Sequence, residues 1–428
     1  MSLSEKTVRI YTDILIEELI PAMGCTEPIA IAYAASIISH ALGGCPTEMR
    51  VGLSGNIIKN VKSVIVPMTG GMHGIDSAVC AGAVSQSPFM RLEVLCALSA
   101  DDSQKIREYK EKTPMEIYEL ETENAFEILI EGKLNGSEAV ALLAKRHTNI
   151  VYVKLNGKDI TDKYATEDDT VEKESSDRSA LNVKDIVTFA EEVDLSYLKP
   201  YLERQISFNM AIAREGIRGE WGASIGKTLL KMANGDLRTV ARAYAAAGSD
   251  ARMSGCELPV CIISGSGNQG MTASIPVIIY ADHMGADKEA LMRALIVSDL
   301  ITIHQKTGIG CLSAYCGAIS AGCGCGCGIA YLNGGRYYEI AHTLVNSIAI
   351  LSGTICDGAK SSCAAKIAMA VEAGILGYEM MKSGHQFYGG DGIITKGVEN
   401  TIKNVSRLAR DGMSETDREI IKIMLGKD

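Results

Sequence analysis

Large aromatic side chains are scarce in this sequence, which has one Trp and five Phe among 428 residues. Small residues are abundant instead, and glycine alone occurs 43 times. Because small side chains let helix backbones approach closely, we expect tightly packed helices rather than a core filled by aromatic rings. The apolar share of 47% and the charged share of 22% are those of an ordinary globular protein.

Three further features are missing, and each excludes a class of protein. The formal charge is −10 and no basic stripe occurs, which argues against a nucleic-acid partner. The amino terminus lacks the apolar core of a signal peptide, and polar residues or glycine interrupt every long apolar run. We therefore expect a cytoplasmic protein without a membrane span. A homodimer is the commonest assembly for a metabolic enzyme of this size.

Thirteen cysteines are many for a protein kept in a reducing compartment. Clustered cysteines there more often indicate metal binding or catalysis than disulfides. The densest run, GCGCGCG at 322–328, is followed by no second CxxC pair, so a structural zinc site has little support. Its glycines also fit close packing against another backbone, which leaves Cys323, Cys325 and Cys327 as packing residues or as a secondary redox site.

The patterning along the chain predicts an α+β fold. Residues 48–67 and the stretches AFEILIEGK and TNIVYVKLNGKDIT are typical of strands, with GSEAVALLAKRH predicted as a helix between the last two. Residues 160–185 are polar and indicate a linker, and the remainder is mostly helical in pattern. We predict three parts: N-terminal helices that pack on the catalytic domain (1–45), a small α+β domain (46–185) and a large helical catalytic domain (186–428).

Two glycine-containing segments suggest anion binding to different degrees. GASIGKT at 222–228 has three residues between its glycines instead of the four of a nucleotide-binding loop, and no apolar strand precedes it. SGSGNQG at 264–270 lies between an apolar run and a predicted helix, where free backbone N–H groups form a cradle for a carboxylate. A simple flexible turn is the alternative for this segment.

PAMGCTEP places Cys25 directly before a predicted helix. A helix N-terminus stabilises a thiolate, so we expect a lowered pKa for Cys25. The alternative is a small buried residue. Glu27 is a candidate to orient Cys25 or to receive a substrate ammonium, and helix capping, in competition with Thr26, is its other possible role.

Cys316, Cys356 and Cys363 are less conspicuous but span more of the chain. A straight helix would separate Cys356 from Cys363 by about 10.5 Å, too far for one compact cluster. Gly358 can turn the chain, leaving Cys356 in a loop and Cys363 in the following helix. Lys360, between them, is a candidate base or carboxylate ligand, and a pyridoxal-phosphate role lacks an accompanying phosphate loop.

The motifs PAMGCTEP, SGSGNQG, LSAYCGA, ICDGAKSSC and the closing GGDGI…VENTIKNVSRLARDGM occur in the order seen in the L-cysteine desulfidase family. The chain resembles these iron–sulphur enzymes, which are related to the L-serine dehydratase α subunit, from residue 10 to its end. The resemblance implies a [4Fe–4S] cluster on three cysteines, matching Cys316, Cys356 and Cys363, with one iron open. It also implies an important N-terminal cysteine, which matches Cys25. The sequence departs from the family pattern at the GCGCGCG run.

The activity implied by this resemblance is β-elimination of L-cysteine to pyruvate, ammonia and sulphide. Cys25 is then the base or a displaceable fourth cluster ligand, with Glu27 and Lys360 as further catalytic candidates. The predicted substrate-binding residues all belong to the glycine-rich loop: Ser266, Gly267, Asn268 and Gln269. L-serine or L-threonine dehydration is the alternative activity, and a non-catalytic iron–sulphur or thiol redox sensor is the alternative class.

Overall fold

The computed structural model describes residues 3–99, 101–165, 176–310 and 312–425. The α-helices of these ranges are α1 (Glu5–Glu18), α2 (Thr26–Leu42), α3 (Gly55–Val61), α4 (Gly74–Ser85), α5 (Asp102–Lys112), α6 (Val183–Glu192), α7 (Lys199–Arg218), α8 (Ile225–Met232), α9 (Leu237–Met253), α10 (Gly267–Met284), α11 (Lys288–Ile309), α12 (Gly317–Leu332), α13 (Tyr337–Ile350), α14 (Cys363–Lys382), α15 (Val398–Arg407) and α16 (Ser414–Leu425). The strands are β1 (Pro21–Met23), β2 (Glu48–Leu53), β3 (Met115–Glu119), β4 (Glu127–Leu134), β5 (Ser137–Ala144), β6 (Ile150–Leu155), β7 (Lys158–Asp159) and β8 (Pro259–Cys261).

The small α+β part is built on a mixed sheet in the order β3-β2-β4-β5-β6-β7. Only the β2–β3 pair is parallel. Strand β4 alternates as a half-buried strand should, with Ile128 and Ile130 fully buried between partly exposed neighbours. Helix α2 covers the buried face of this sheet and packs against α4, which explains why nearly every residue of α2 is buried.

Two local predictions in this part are wrong. GSEAVALLAKRH forms strand β5, because Asn135 and Gly136 both adopt positive φ and fold β4 and β5 into a hairpin with Leu134 opposite Ser137. Of residues 48–67, only Glu48–Leu53 is a strand. Helix α3 follows it, capped by the extended Ser54.

The helical part is organised around α12, which contacts α11, α14, α10 and α13. Two residues advance a helix by about 200°, so alternate glycines face opposite sides. A Cβ on Gly322 or Gly326 would lie 2.2–2.3 Å from a carbonyl oxygen of α14, and one on Gly324 would lie 2.2 Å from Thr302 Oγ1 of α11. The close-packing interpretation of GCGCGCG is therefore confirmed. No described helix is long and apolar enough to span a bilayer.

The N-terminal helices divide between two hydrophobic cores. Helix α1 shares the core of the helical part, where Tyr11 contacts Phe189 edge-on with ring centroids 5.4 Å apart. Helix α2 instead belongs to the core of the small part. The polar segment 160–185 includes residues 166–175, which lie outside the described residues. Its described ends contain short 3₁₀ turns and the start of α6 at Val183.

The segment GASIGKT, which partly resembles a nucleotide-binding loop, lies at the start of α8. Its backbone N–H groups already have an acceptor within the protein. The Gly226 N–H donates to Asp250 Oδ2 of α9 at 2.9 Å. Burial raises the pKa of Asp250 to about 6, although the hydrogen bonds that its carboxylate accepts from the backbone lower it. An internal carboxylate thus fills the position that a phosphate would need, in agreement with the departure of the sequence from the nucleotide-binding spacing.

Asp299 generates a prediction about the pH dependence of stability. It is fully buried in α11, accepts a hydrogen bond from Gln205 Nε2 at 3.0 Å, and has an unpartnered Oδ2. Burial raises its pKa to about 8, so the folded chain retains a proton that the unfolded chain loses near pH 4. As the pH rises from about 4 to about 8, the free energy of unfolding should therefore fall, by up to about 1.4 kcal/mol per pH unit. Asp299→Asn should flatten this slope in denaturant titrations at pH 5 and pH 8, and an unchanged slope would contradict the assignment.

Candidate active site

A cavity of about 100 Å³ lies where the small part meets the helical part. The small part contributes Cys25, Glu27 and Asn60 to its wall. The helical part contributes the ends of several helices and the loops between them, in particular Arg252, Ser266, Asn268, Gln269, Lys306, Tyr315, Cys316, Cys356, Cys363 and Lys366. Residues from both ends of the chain therefore form one site.

Backbone pairing brings the first two cysteine loops together. Tyr315 and Ile355 form an isolated antiparallel bridge. The Cys316 N–H donates to the Thr354 carbonyl at 3.0 Å, and the Cys356 N–H donates to the Ala314 carbonyl at 2.6 Å. Each bond joins one cysteine to the residue two positions before the other, so Cys316 and Cys356 are held side by side although they are far apart in sequence.

The turn predicted at Gly358 is confirmed. Gly358 has φ +92°, Cys356 lies in the loop before it, and Cys363 is the first residue of α14. A Cβ at Gly358 would lie 2.3 Å from the Lys59 carbonyl oxygen of α3, so only glycine allows this approach. Cys316, Cys356 and Cys363 consequently line the same cavity.

The pKa values of the Cys316 and Cys356 thiols are shifted in opposite directions. A hydrogen bond between the two thiols lowers the pKa of Cys356, against the effect of burial and with help from Lys59 and Lys366. The same hydrogen bond, together with burial, raises the pKa of Cys316 well above its usual value. The shared hydrogen bond therefore favours the thiolate at Cys356, close to the two lysines, and the thiol at Cys316.

Cys25 reaches the cavity because β1 pairs with β8, which places the segments after both strands next to each other. The Cys25 thiol donates to Glu27 Oε2 at 3.1 Å. Glu27 also accepts from Thr26 Oγ1 at 3.0 Å and, through Oε1, from Asn60 Nδ2 at 3.1 Å. One of the roles predicted for Glu27 was to orient Cys25, and this hydrogen bond is present. At the described start of α2, the N-cap residue Cys25 makes no capping hydrogen bond through its side chain.

The expected lowering of the Cys25 pKa is wrong. Cys25 is the N-cap of α2, as the sequence indicated. Burial and the neighbouring Glu27 carboxylate nevertheless raise its pKa well above the usual value, and the opposing charge of Arg252 is too weak to reverse this. Cys25 is thus a thiol that donates to Glu27.

Glu27 itself is ionised despite its burial. Burial alone would raise its pKa, but the nearby His147 ring and the hydrogen bonds from Cys25 and Thr26 lower it. Burial lowers the pKa of His147, which makes a neutral imidazole the main form at pH 7. We therefore attribute the ionised state of Glu27 chiefly to its hydrogen bonds.

The glycine-rich loop lies beside Cys25, and Thr26 Oγ1 donates to the Gly265 carbonyl of this loop at 2.9 Å. Ser266 is the N-cap of α10, and Asn268 and Gln269 in its first turn line the cavity. Gly317 at the start of α12 has no room for a Cβ, which would lie 2.7 Å from the Gln269 side chain. Gly267 packs beneath Arg252 and is not part of the cavity wall.

Four helices direct their N-termini at this cavity. Cys25, Ser266 and Cys316 are the N-caps of α2, α10 and α12, and Cys363 is the first residue of α14. Each N-terminus carries a partial positive charge and unpaired N–H groups. The site is therefore electropositive and suited to thiolates and to an anionic ligand.

Comparison with known proteins agrees with this arrangement. The serine dehydratase alpha chain family matches residues 91–422. The chain belongs to this family. A UPF0597 protein of Desulfitobacterium hafniense is 51% identical over 428 residues, covering 100% of this chain and 99% of the relative. UPF0597 proteins of Treponema denticola and Lachnoclostridium phytofermentans are 44% and 45% identical, covering 99% and 96% of this chain and 100% and 98% of those relatives.

Within this member of the serine dehydratase alpha chain family, Lys360 is the second predicted site residue, after Gly267, that lies outside the cavity wall. Its ammonium group binds the Asp357 side chain at 2.6 Å and the Asp357 carbonyl at 2.9 Å. Lys366, one turn into α14, lines the cavity instead. The loop thus directs Lys360 back onto its own backbone.

Among the site residues that were missed, three lie close to Glu27 or to the glycine-rich loop. His147 comes from the β5–β6 turn and contacts this loop, where a Cβ on Gly265 would lie 3.2 Å from its ring. Asn60 donates to Glu27, and Arg252 is the penultimate residue of α9. Of these three, only Arg252 left a signal in the sequence, as one of two charged residues, with Asp250, in the small and apolar stretch AYAAAGSDARM.

The donor set of the site is one of thiols. Among the described residues, no three His, Cys, Asp or Glu side chains converge as the ligands of a single metal ion would. An iron–sulphur cluster distributes its cysteine ligands over separate irons, so its thiolates need not meet at one point. Three cavity-lining thiols beside positive helix ends fit such a group.

Gly358 provides a test of how the thiols are positioned. Gly358→Ala should be destabilised by about 1–3 kcal/mol more than Gly353→Ala in the same loop, because both have positive φ but only residue 358 meets a backbone atom. Urea titration measures the difference. Iron bound after anaerobic reconstitution should fall only in Gly358→Ala, and equal behaviour of the two variants would contradict the role assigned to this turn.

Proposed function

We propose that this chain is a lyase that removes the β-substituent of a small L-amino acid, with L-cysteine as the preferred substrate and pyruvate, ammonia and sulphide as products. The observation that carries this proposal is the meeting of three thiols from two paired loops at an electropositive cavity. Membership of the serine dehydratase alpha chain family supports the same class of reaction.

Cys316, Cys356 and Cys363 would hold a [4Fe–4S] cluster. Thiolates are the usual ligands of such clusters, and the loop pairing and the Gly358 turn bring these three to one wall. Bound to three thiolates, the cluster would offer one iron without a cysteine ligand as a Lewis acid for the leaving group. Lys59, which lies close enough to Cys356 to lower the pKa of its thiol, and Lys366 in the cavity wall offset part of the negative charge of the thiolates.

The proton transfer falls to Cys25 and Glu27. The Cys25 proton lies on a hydrogen bond to the ionised Glu27 carboxylate, and Cys25 lines the cavity. Because the pKa of Cys25 is raised, no free thiolate forms first: the sulphur takes the α-proton of the substrate in the same step in which its own proton passes to Glu27. Glu27 is thus the group that gains a proton overall, and its ionised state suits it to this role near neutral pH.

The remaining steps need no further side chain of this protein. The electron pair of the Cα–H bond forms the Cα–Cβ double bond, and the β-sulphur departs as HS⁻ with the electron pair of the Cβ–S bond. The resulting aminoacrylate rearranges to an imine, and water hydrolyses the imine to pyruvate and ammonia. Cys25 passes the proton taken from Cα to the departing HS⁻, which leaves as H₂S, and Glu27 then returns the original proton to Cys25.

Dehydration of L-serine is the second candidate, and the family description favours it directly. The same steps apply with a β-hydroxyl group, which leaves as water. The two substrates are similar in shape and differ only in the atom at the β position, sulphur or oxygen.

Assay of the reconstituted protein under anaerobic conditions tests the proposed reaction. L-cysteine should give sulphide and pyruvate in equal amounts, with a higher kcat/KM than L-serine gives for pyruvate. Cys25→Ser should lower kcat about 100-fold or more, because the hydroxyl is a far weaker acid than the thiol. Cys96→Ser, which changes an exposed cysteine remote from the cavity wall, is the matched control. Full activity of Cys25→Ser would remove Cys25 from the reaction.

Iron content tests the ligand set separately from turnover. Cys316→Ser, Cys356→Ser and Cys363→Ser should each lose most of their iron and visible absorbance after anaerobic reconstitution, whereas Cys96→Ser should match the parent protein. A full iron complement in Cys356→Ser would contradict the ligand assignment. A stable cluster without turnover of any amino acid would favour a redox sensor over a lyase.

A further inference from the structure

Arg252 is a buried cation at the cavity for which no carboxylate partner is found among the described residues. It is the penultimate residue of α9 and is 2% exposed. Its Nη1 donates to Asn268 Oδ1 at 3.1 Å, and its Nε is buried without a hydrogen-bond partner. The acid nearest to this wall, Glu27, is already engaged by Cys25, Thr26 and Asn60.

Holding the guanidinium in this position is unfavourable for the chain alone. An arginine does not lose its proton in a protein, so burial without a counter-charge is costly. The first turn of α10 makes this worse, because a Cβ on Gly267 would lie 2.5 Å from Arg252 Nε and the guanidinium therefore lies against a positive helix end. Two sources of positive charge are thus held together at the cavity wall.

We propose that Arg252 binds the α-carboxylate of the amino-acid substrate, with Asn268 and the N-terminus of α10 positioning its guanidinium. This proposal rests on the proposed function and names the part of the substrate that the site recognises. A planar guanidinium pairs with a carboxylate through two parallel hydrogen bonds. Arg252 lines the cavity, and the one hydrogen bond described for its guanidinium, from Nη1 to Asn268, leaves other N–H donors of the group for a carboxylate. Asn268 presents its oxygen to Arg252, which makes it a positioning residue and not the direct carboxylate contact.

The consequence is a requirement for a free carboxylate. Amino acids whose carboxyl group is converted to an amide lose the ion pair and bring a second positive charge towards Arg252. The site should therefore reject amino-acid amides, amino alcohols and internal residues of peptides, whatever β-substituent they carry.

Binding of two unreactive probes tests this. L-alanine carries the carboxylate and L-alaninamide does not, and neither has a β-group to lose. Titration calorimetry with the anaerobically reconstituted protein should show L-alanine binding about 10- to 100-fold more tightly, the range expected for a charge-assisted pair. In Arg252→Met the preference should fall to about twofold or less, with the loss in L-alanine binding and not in L-alaninamide binding.

Two further variants keep the test decisive. Arg252→Lys retains the charge without the planar fork, so it should fold and keep a reduced preference. Arg242→Met, on the same helix, breaks an ion pair with Glu372 at 3.0 Å outside the cavity wall and should keep the full preference. A preference that persists in Arg252→Met, or its absence from the parent protein, would overturn the proposal. Failure to turn over cysteine or serine, with the Arg252-dependent preference intact, would instead contradict only the proposed reaction.

Discussion

The site depends on the convergence of four helix N-termini on one small cavity. Helices α2, α10, α12 and α14 each begin there, with N–H groups that have no partner within the helix. Three of the four helices begin at or directly after a cysteine. Positive ends of helices repel one another when they are brought together, so the arrangement is stable only if negative groups occupy the space between them. Thiolates and a substrate carboxylate are such groups, which links the fold directly to the chemistry proposed for it.

Small residues make this convergence possible. Gly322 and Gly374 of α12 and α14 pack backbone against backbone, and Gly317 and Gly270 allow the starts of α12 and α10 to meet their neighbours. Aromatic side chains at these positions would separate the helices and open the cavity. The scarcity of aromatic residues and the geometry of the site are therefore two aspects of one packing solution.

The sequence predicted the composition of the site better than its electrostatics. The α+β class and the turn at Gly358 followed from local patterns, whereas the common site of Cys25, Cys316, Cys356 and Cys363 was implied by the resemblance to a known family. The β5 hairpin was missed because AVALLA suits either structure and the Asn-Gly turn before it decided the outcome. The Cys25 pKa was wrong because it depends on Glu27 and on burial, and the burial requires contacts with residues far along the chain.

Arg252 and His147 were missed for a related reason. Neither lies in a motif, and each becomes part of the site only because β1 pairs with β8 and the β5–β6 turn contacts the glycine-rich loop. Long-range contacts of this kind leave almost no periodic or local signal. The one local irregularity near Arg252 is its occurrence, together with Asp250, in the small and apolar stretch AYAAAGSDARM.

The pairing of β1 with β8 also sets the order in which the protein can mature. Cys25 is synthesised early, but its wall of the cavity exists only once residues beyond 259 have emerged, and the last thiol, Cys363, follows later still. Helix α16 closes the assembly, since its Asp417 pairs with the buried Lys59. Because the site joins distant parts of the chain, it is complete only after Cys363 and the segments around it have been synthesised and have packed together. A cofactor held by these cysteines could therefore be bound only after that step.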